Sequence, residues 1–229
     1  MAPENRLLAS LPPAEKLRLA VRCEHVTIPK GKVVYEAGDV VQHAYFPIQG
    51  LLSRMAIAPN GDAVEVAMVG SDGFIGLPII LHSETTSYRI VAQLTTAAVR
   101  IRADALQAEL ARSPQFHQSL LRYTHDVLDE IARAFVCHRV HSTAQRLSGW
   151  LLIVGERAGS DTLDLTHESM AHTLGVPRSV VTTAAVELQD AGHIWYRHGH
   201  IVIKNRRQLK IAACDCYRAR DAQQVRSAS

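Results

Sequence analysis

Residues Leu165–Ile203 read LTHESMAHTLGVPRSVVTTAAVELQDAGHIWYRHGHIVI. Period and punctuation divide this stretch into four pieces. Thr166 is a residue type that caps helix N-termini, and Glu168 puts a carboxylate in the first turn, where the helix dipole favours it. Met170, Ala171 and Leu174 then share one helical face. Gly175 stands where a left-handed residue lets the chain reverse. Val176 can fill the space between two helices, and Pro177 suits a helix start because its missing N–H would be unpaired there. Val181, Ala184, Ala185 and Leu188 form the apolar stripe of a second helix that Gly192 ends. Its opposite face carries Arg178, Ser179, Thr182 and Thr183, compact groups suited to base edges and phosphates. Ile194-Trp195-Tyr196 and Ile201-Val202-Ile203 bracket His198-Gly199 as a β-hairpin would. Lys204, Arg206 and Arg207 follow. This order predicts a winged helix-turn-helix, whose second helix enters the major groove of double-stranded DNA. A plain helical hairpin with a solvated face shares the first half of the pattern; the hairpin after Gly192 favours the winged form.

Charge follows the same division. The 229 residues carry a net charge of +3, and 47% are hydrophobic, enough for two cored domains. From Ser142 onward eleven Lys and Arg stand against eight Asp and Glu, so the whole formal excess lies in the half with the helix-turn-helix. No run is long and apolar enough to span a membrane and no signal pattern opens the chain, so a cytoplasmic location is expected.

The first half reads as short strands punctuated by glycine: Val26–Ile28, Val33–Tyr35, Ala44–Ile48, Leu51–Ala58, Ala63–Val69 and Ile90–Ile101, with Asn60-Gly61 as a hairpin signal. A short helix over Pro13–Cys23 precedes them. The expectation is an α+β chain with an N-terminal antiparallel β-roll, of double-stranded β-helix or jelly-roll type, over residues 1–113. Pro114 opens a long helix. Leu120, Leu121, Thr124, Val127, Leu128, Ile131, Ala134, Phe135 and His138 mark an apolar seam, one side of which would pack on the roll while the other pairs with a second copy, the pairing assigned to Leu120, Thr124, Val127, Ile131, Ala134 and His138; a single core helix within a monomer is the alternative. Residues 114–141 would be this dimerisation helix and hinge, the hinge over Arg139–Ser142. Residues 142–217 would form the DNA-binding domain and 218–229 a disordered tail.

A roll, a dimer helix and a winged helix in this order resemble the Crp/Fnr family of bacterial transcription regulators. The resemblance spans about Leu11 to Tyr217. It rests on Glu36-Ala37-Gly38-Asp39, Phe74-Ile75-Gly76, Arg146-Leu147 and the stretch from Leu165 to Ile194. It implies a homodimer on a palindromic operator, control by a small-molecule effector on the roll, and RNA polymerase as a partner. It also implies that Arg178 reads guanine and that Thr166 and His167 touch phosphate. Arg197 and Lys204 would add phosphate contacts from the wing. Ser179 and Thr183 replace the commoner Glu and Arg of the family.

The effector region departs from the family's cyclic-nucleotide binders. Their Phe-x-Gly-Glu-Leu is Phe74-Ile75-Gly76-Leu77-Pro78 here, and their Arg-Ser pair is Thr86-Ser87. Leucine accepts no hydrogen bond from ribose, and threonine brings no charge to phosphate. The candidate pocket is therefore Phe74, Gly76, Leu77, Thr86, Ser87, Tyr88 and Arg89, for an unknown ligand that is not cyclic AMP.

No cofactor and no metal are expected. The iron–sulfur members need several N-terminal cysteines, and Cys23 stands alone. Cys214-Asp215-Cys216 is closer-spaced than zinc pairs usually are, and is read as packing at the end of the last helix, with thiol redox chemistry as the lesser alternative. No P-loop, nucleophile elbow or His-Glu-x-x-His is present, so no enzymatic role is expected. The competing reading is a small-molecule sensor that acts through protein partners with little DNA binding.

Overall fold

The computed structural model describes residues 4–219. The chain divides into two units, residues 1–57 with 66–130, and residues 58–65 with 131–229.

The first unit opens with α1 (Arg6–Ala9) and α2 (Pro13–Ala20). Asn5, fully buried, caps α1 through Oδ1 and donates from Nδ2 to the carbonyls of Pro47 and Gly73. It thereby fixes the start of α1 to the roll. Strands β1 (Cys23–Ile28), β2 (Val33–Tyr35), β3 (His43–Ile57), β4 (Ala63–Val69) and β5 (Arg89–Arg102) form one sheet in the order β1-β5-β3-β4, with β2 also on β5. All pairings of β5 with β1, β2 and β3 are antiparallel. The two runs expected at Ala44–Ile48 and Leu51–Ala58 are one strand. Gly50 interrupts its register as a bulge, at φ +92°, and a Cβ there would lie 2.5 Å from the Thr95 carbonyl oxygen. Two helices the sequence reading did not name, α3 (Leu77–Ile80) and α4 (Ala103–Arg112), flank β5 in sequence.

α5 (Pro114–Val140) begins in this unit. Phe116 joins Phe46 and Phe74 in the core, and Phe46 and Phe74 stack with centroids 5.3 Å apart. This placement corrects the expected dimer seam. Leu120, Thr124 and Val127 are buried within the subunit, and the Thr124 hydroxyl donates back to the Leu120 carbonyl. Buried groups of this kind face the roll and cannot face a second copy. The exposed apolar residues of α5 are instead Leu121, Leu128 and Phe135, seven residues apart, with Val136 and Val140. Ile131 and Ala134 are half-buried and His138 is exposed.

The second unit contains the β3–β4 hairpin tip at residues 58–65, the end of α5, and the chain that follows. α5 runs through Val140, so the link expected over Arg139–Ser142 shortens to two residues before α6 (Thr143–Ala158). Ser142 caps α6 in a reciprocal box with Gln145, and Gly159 closes it in the left-handed region. Then come β6 (Thr162–Asp164), α7 (His167–Leu174), α8 (Arg178–Asp190), β7 (Ile194–Arg197), β8 (His200–Ile203) and α9 (Arg206–Ala212). The three strands form an antiparallel sheet ordered β6-β8-β7. β6 is too short to show alternation in sequence, and its pairing with β8 supplies the third strand. Of the tail expected at 218–229, residues 218 and 219 instead end a short helical turn that begins at Asp215, and residues 220–229 lie outside the described residues.

Candidate functional site

The helix-turn-helix is built from local capping outward. The Thr166 Oγ1 accepts from the Ser169 N–H at 3.0 Å, and the Ser169 side chain closes the box on the Thr166 N–H. Gly175 takes φ +61° and ends α7, and Pro177 precedes α8. Met170, Leu174, Val181, Ala184, Ala185 and Leu188 are all buried, as their spacing requires. The buried Arg146 of α6 donates from its guanidinium to the Leu174 carbonyl at the end of α7. That bond satisfies one carbonyl left open by the helix end.

On the opposite face Arg178, Ser179, Thr182 and Thr183 are exposed together on α8. Thr183 donates to the Ser179 carbonyl and Thr182 to the Arg178 carbonyl, so both hydroxyls are oriented by the helix itself. Arg178 occupies the first position of α8. There the side chain stands beside backbone N–H groups that favour anions.

The wing turn takes positive φ at both His198 and Gly199, the geometry of a tight two-residue hairpin turn. The Gly199 carbonyl accepts from the Leu165 N–H at 2.8 Å, which sets the wing beside the start of α7. Tyr196 N–H donates to the Gln189 side chain at 2.8 Å and so ties the wing to the end of α8. Arg197 and Lys204 are exposed.

His167 departs from expectation. Its side chain is only 9% exposed; the ring stacks on Tyr196 at 4.0 Å and its Nδ1 lies 2.9 Å from the Thr182 hydroxyl. The imidazole is therefore a brace joining α7, α8 and the wing, not a group presented to phosphate. Burial, and then the nearby Arg178 charge, push its pKa below the ordinary histidine value. The Thr166–His167 helix start still offers unpaired backbone donors to a phosphate.

In the sensor unit the predicted pocket residues separate. Phe74 is fully buried in the aromatic core, where it also meets Tyr123 at 5.2 Å. Gly76 precedes α3 at φ +136°, and a Cβ there would press on Ala44 at 3.0 Å. Leu77 is half-buried at the start of α3. Thr86 is buried and its hydroxyl is closed in a local turn with both the N–H and the carbonyl of Tyr88. Tyr88 packs against the core, whereas Ser87 is exposed. Arg89, the one cation of the set, pairs with Glu36 at 2.7 Å. Sequence reasoning missed Arg54. This arginine is 2% exposed, donates to the Phe74 carbonyl at 2.8 Å and lies over the Tyr123 ring. A lone charge in a strand gave no signal that it pointed inward.

Two further groups meet in the second unit. The Trp150 indole N–H donates to Glu65 at 3.1 Å, with both residues buried. The cysteines of the C-terminal segment are not isolated either: Cys137, His141 and Cys214 bring their ligating atoms within 4.8 Å of one another.

Two family models match the chain, a cyclic nucleotide-binding domain over residues 25–113 and a Crp-like helix-turn-helix domain over residues 145–211. The transcriptional regulator SdrP of Thermus thermophilus is 24% identical over 193 residues, 78% of this chain and 92% of that protein. The CRP-like cAMP-activated global transcriptional regulator of Mycobacterium tuberculosis is 22% identical over 204 residues, 86% and 91% of the two chains. Among solved structures, the c-di-GMP-responsive global regulator CLP of Xanthomonas campestris superposes with a TM-score of 0.70 at 16% identity, covering 85% of this chain and all of that one. A CRP/FNR-family regulator from Thermus thermophilus reaches 0.64 at 22% identity, covering 83% and 98%. Among the described residues no helix is long and apolar enough to cross a membrane.

Proposed function

Because the chain belongs to the Crp/Fnr family of transcription regulators, we propose that it is a homodimeric DNA-binding regulator whose two α8 helices read a palindromic operator. The observation that carries this reading is the shared exposed face of Arg178, Ser179, Thr182 and Thr183, with α8 braced by His167 and the wing. Arg178 has the reach and fork geometry for O6 and N7 of guanine. Ser179, Thr182 and Thr183 add shorter contacts. The Thr166 hydroxyl, the backbone at His167, and Arg197 and Lys204 position the domain on phosphates. A two-fold operator needs a two-fold protein, and the heptad-spaced Leu121, Leu128 and Phe135 offer the pairing stripe. RNA polymerase is the natural downstream partner of such a complex.

The role is regulatory, with the roll as the sensor. Its effector differs from the cyclic AMP of the mycobacterial relative's name. Leu77 offers no carboxylate to a ribose, Thr86 is engaged in its own turn, and Arg89 is already paired with Glu36. The test is selection from a random duplex pool followed by gel shift over a salt series. An enriched inverted repeat, with affinity falling steeply as salt rises, is expected. Failure to enrich any sequence, with or without candidate effectors, would exclude operator reading.

A further inference from the structure

The end of α5 and the segment after α9 bring four soft or borderline ligands together. Cys137 lies in the last turn of α5 and His141 directly follows the helix, its N–H donating to the Cys137 carbonyl at 3.1 Å, so the two residues stay one turn apart. The Cys137 and Cys214 sulfurs are 3.6 Å apart. The Cys216 sulfur lies 3.8 Å from Nδ1 of His141. Tetrahedral zinc, with bonds of about 2.3 Å to sulfur and about 2.05 Å to nitrogen, has sulfur–sulfur edges of about 3.8 Å and sulfur–nitrogen edges of about 3.6 Å. Two opposite edges, Cys137–Cys214 and Cys216–His141, therefore already have the lengths of a metal tetrahedron, and Cys137, His141 and Cys214 lie within 4.8 Å of one another.

The arrangement is held by other contacts. The Cys214 N–H donates to the Gln145 carbonyl of α6, and Cys214 is buried. Tyr217 lies so close over α6 that a Cβ on Gly149 would meet it at 2.9 Å. The turn that bears Cys214 and Cys216 is thus seated on α6 independently of any ion. Arg146 and Arg133 lie within electrostatic range of the thiols and would offset the surplus negative charge of three thiolates on a divalent ion.

We propose that Cys137, His141, Cys214 and Cys216 form a structural Cys3His zinc site that staples the end of the central helix to the end of the DNA-binding domain. The short Cys-x-Cys spacing that argued against zinc is overcome because the other two ligands, Cys137 and His141, come from the end of α5 and the residue after it, far earlier in the chain. Binding forms three zinc–sulfur bonds and releases to solvent the proton of each thiol that carries one, with a ring nitrogen of His141 as the fourth ligand. A Cys137–Cys214 disulfide is the competing use of the cluster. It needs only two of the four groups, requires the sulfurs to close to about 2.05 Å, and leaves the imidazole without a role.

The full-length protein, purified under reductant without chelator, should carry one zinc ion per chain by elemental analysis. Cobalt reconstitution should give the visible bands of tetrahedral thiolate coordination, and added zinc should raise the melting temperature of the metal-free protein. Cys137→Ser and Cys214→Ser should each weaken zinc binding by more than about tenfold, whereas Cys23→Ser should leave it unchanged. Circular dichroism melts of the variants separate ligand loss from unfolding. The wild-type stoichiometry and cobalt spectrum stand without any variant. A metal-free protein that takes up neither ion, or mild oxidation that links Cys137 to Cys214 in preference to zinc uptake under reductant, would overturn the proposal.

Discussion

The His167 ring lies nearly parallel to that of Tyr196, with centroids 4.0 Å apart and planes 18° from parallel. The same imidazole reaches the Thr182 hydroxyl. One side chain thus links the first helix, the recognition helix and the wing, so the electrostatic state of His167 bears on the shape of the DNA-binding surface. Its pKa is depressed by burial and by Arg178. The unfolded chain therefore takes up this proton at a higher pH than the folded one does. The stabilisation is complete above the ordinary histidine pKa of about 6.5 and is lost as pH falls through the folded value. Melting temperature against pH should show an acid-side decline that His167→Gln reduces; identical profiles for the two proteins would remove His167 as its origin.

Arg178→Ala should cost about 1–3 kcal/mol in binding to a selected operator and relax the preference at one base of each half-site. Lys204→Ala should weaken operator and random DNA about equally and flatten the salt dependence. Competition binding distinguishes them, and an equal loss on both DNAs for Arg178→Ala would make it a phosphate contact.

α5 presents two apolar faces with different consequences. Leu120 is fully buried in the roll, so Leu120→Ala should lower stability by about 2–5 kcal/mol. Leu128 is 62% exposed and Phe135 76% exposed. Leu128→Asp with Phe135→Asp should keep the fold and yield a monomer by light scattering. A dimer of unchanged affinity would place the pairing surface elsewhere.

The Trp150 indole loses its acceptor in Glu65→Ala. A buried donor left unsatisfied costs about 1–3 kcal/mol, and urea unfolding followed by circular dichroism should show a midpoint lowered accordingly. Glu65→Gln keeps an acceptor oxygen and should lose less. An unchanged midpoint in the alanine variant would mean that water takes over the contact.

Much of the second unit was legible because its signals are local. Thr166, Gly175, Gly192 and the His198-Gly199 pair each act through the backbone within one turn, and the i, i+3, i+4 stripe of α8 needs only one face to be buried. The family order was legible for the same reason. The α5 seam was misassigned because a long helix with apolar residues on two faces does not state which neighbour each face meets.

The sequence by itself determined the order of elements, the boundaries of the recognition helix and the face that carries Arg178. These follow from helical period, capping and turn chemistry. Only the tertiary structure decided that His167 is a brace, that Leu121, Leu128 and Phe135 are the exposed stripe, and that Arg54 lies buried against the Tyr123 ring. It alone brought Cys137 and His141 to Cys214 and Cys216. Each of these depends on contacts between residues far apart along the chain, and no local period or propensity encodes such distances.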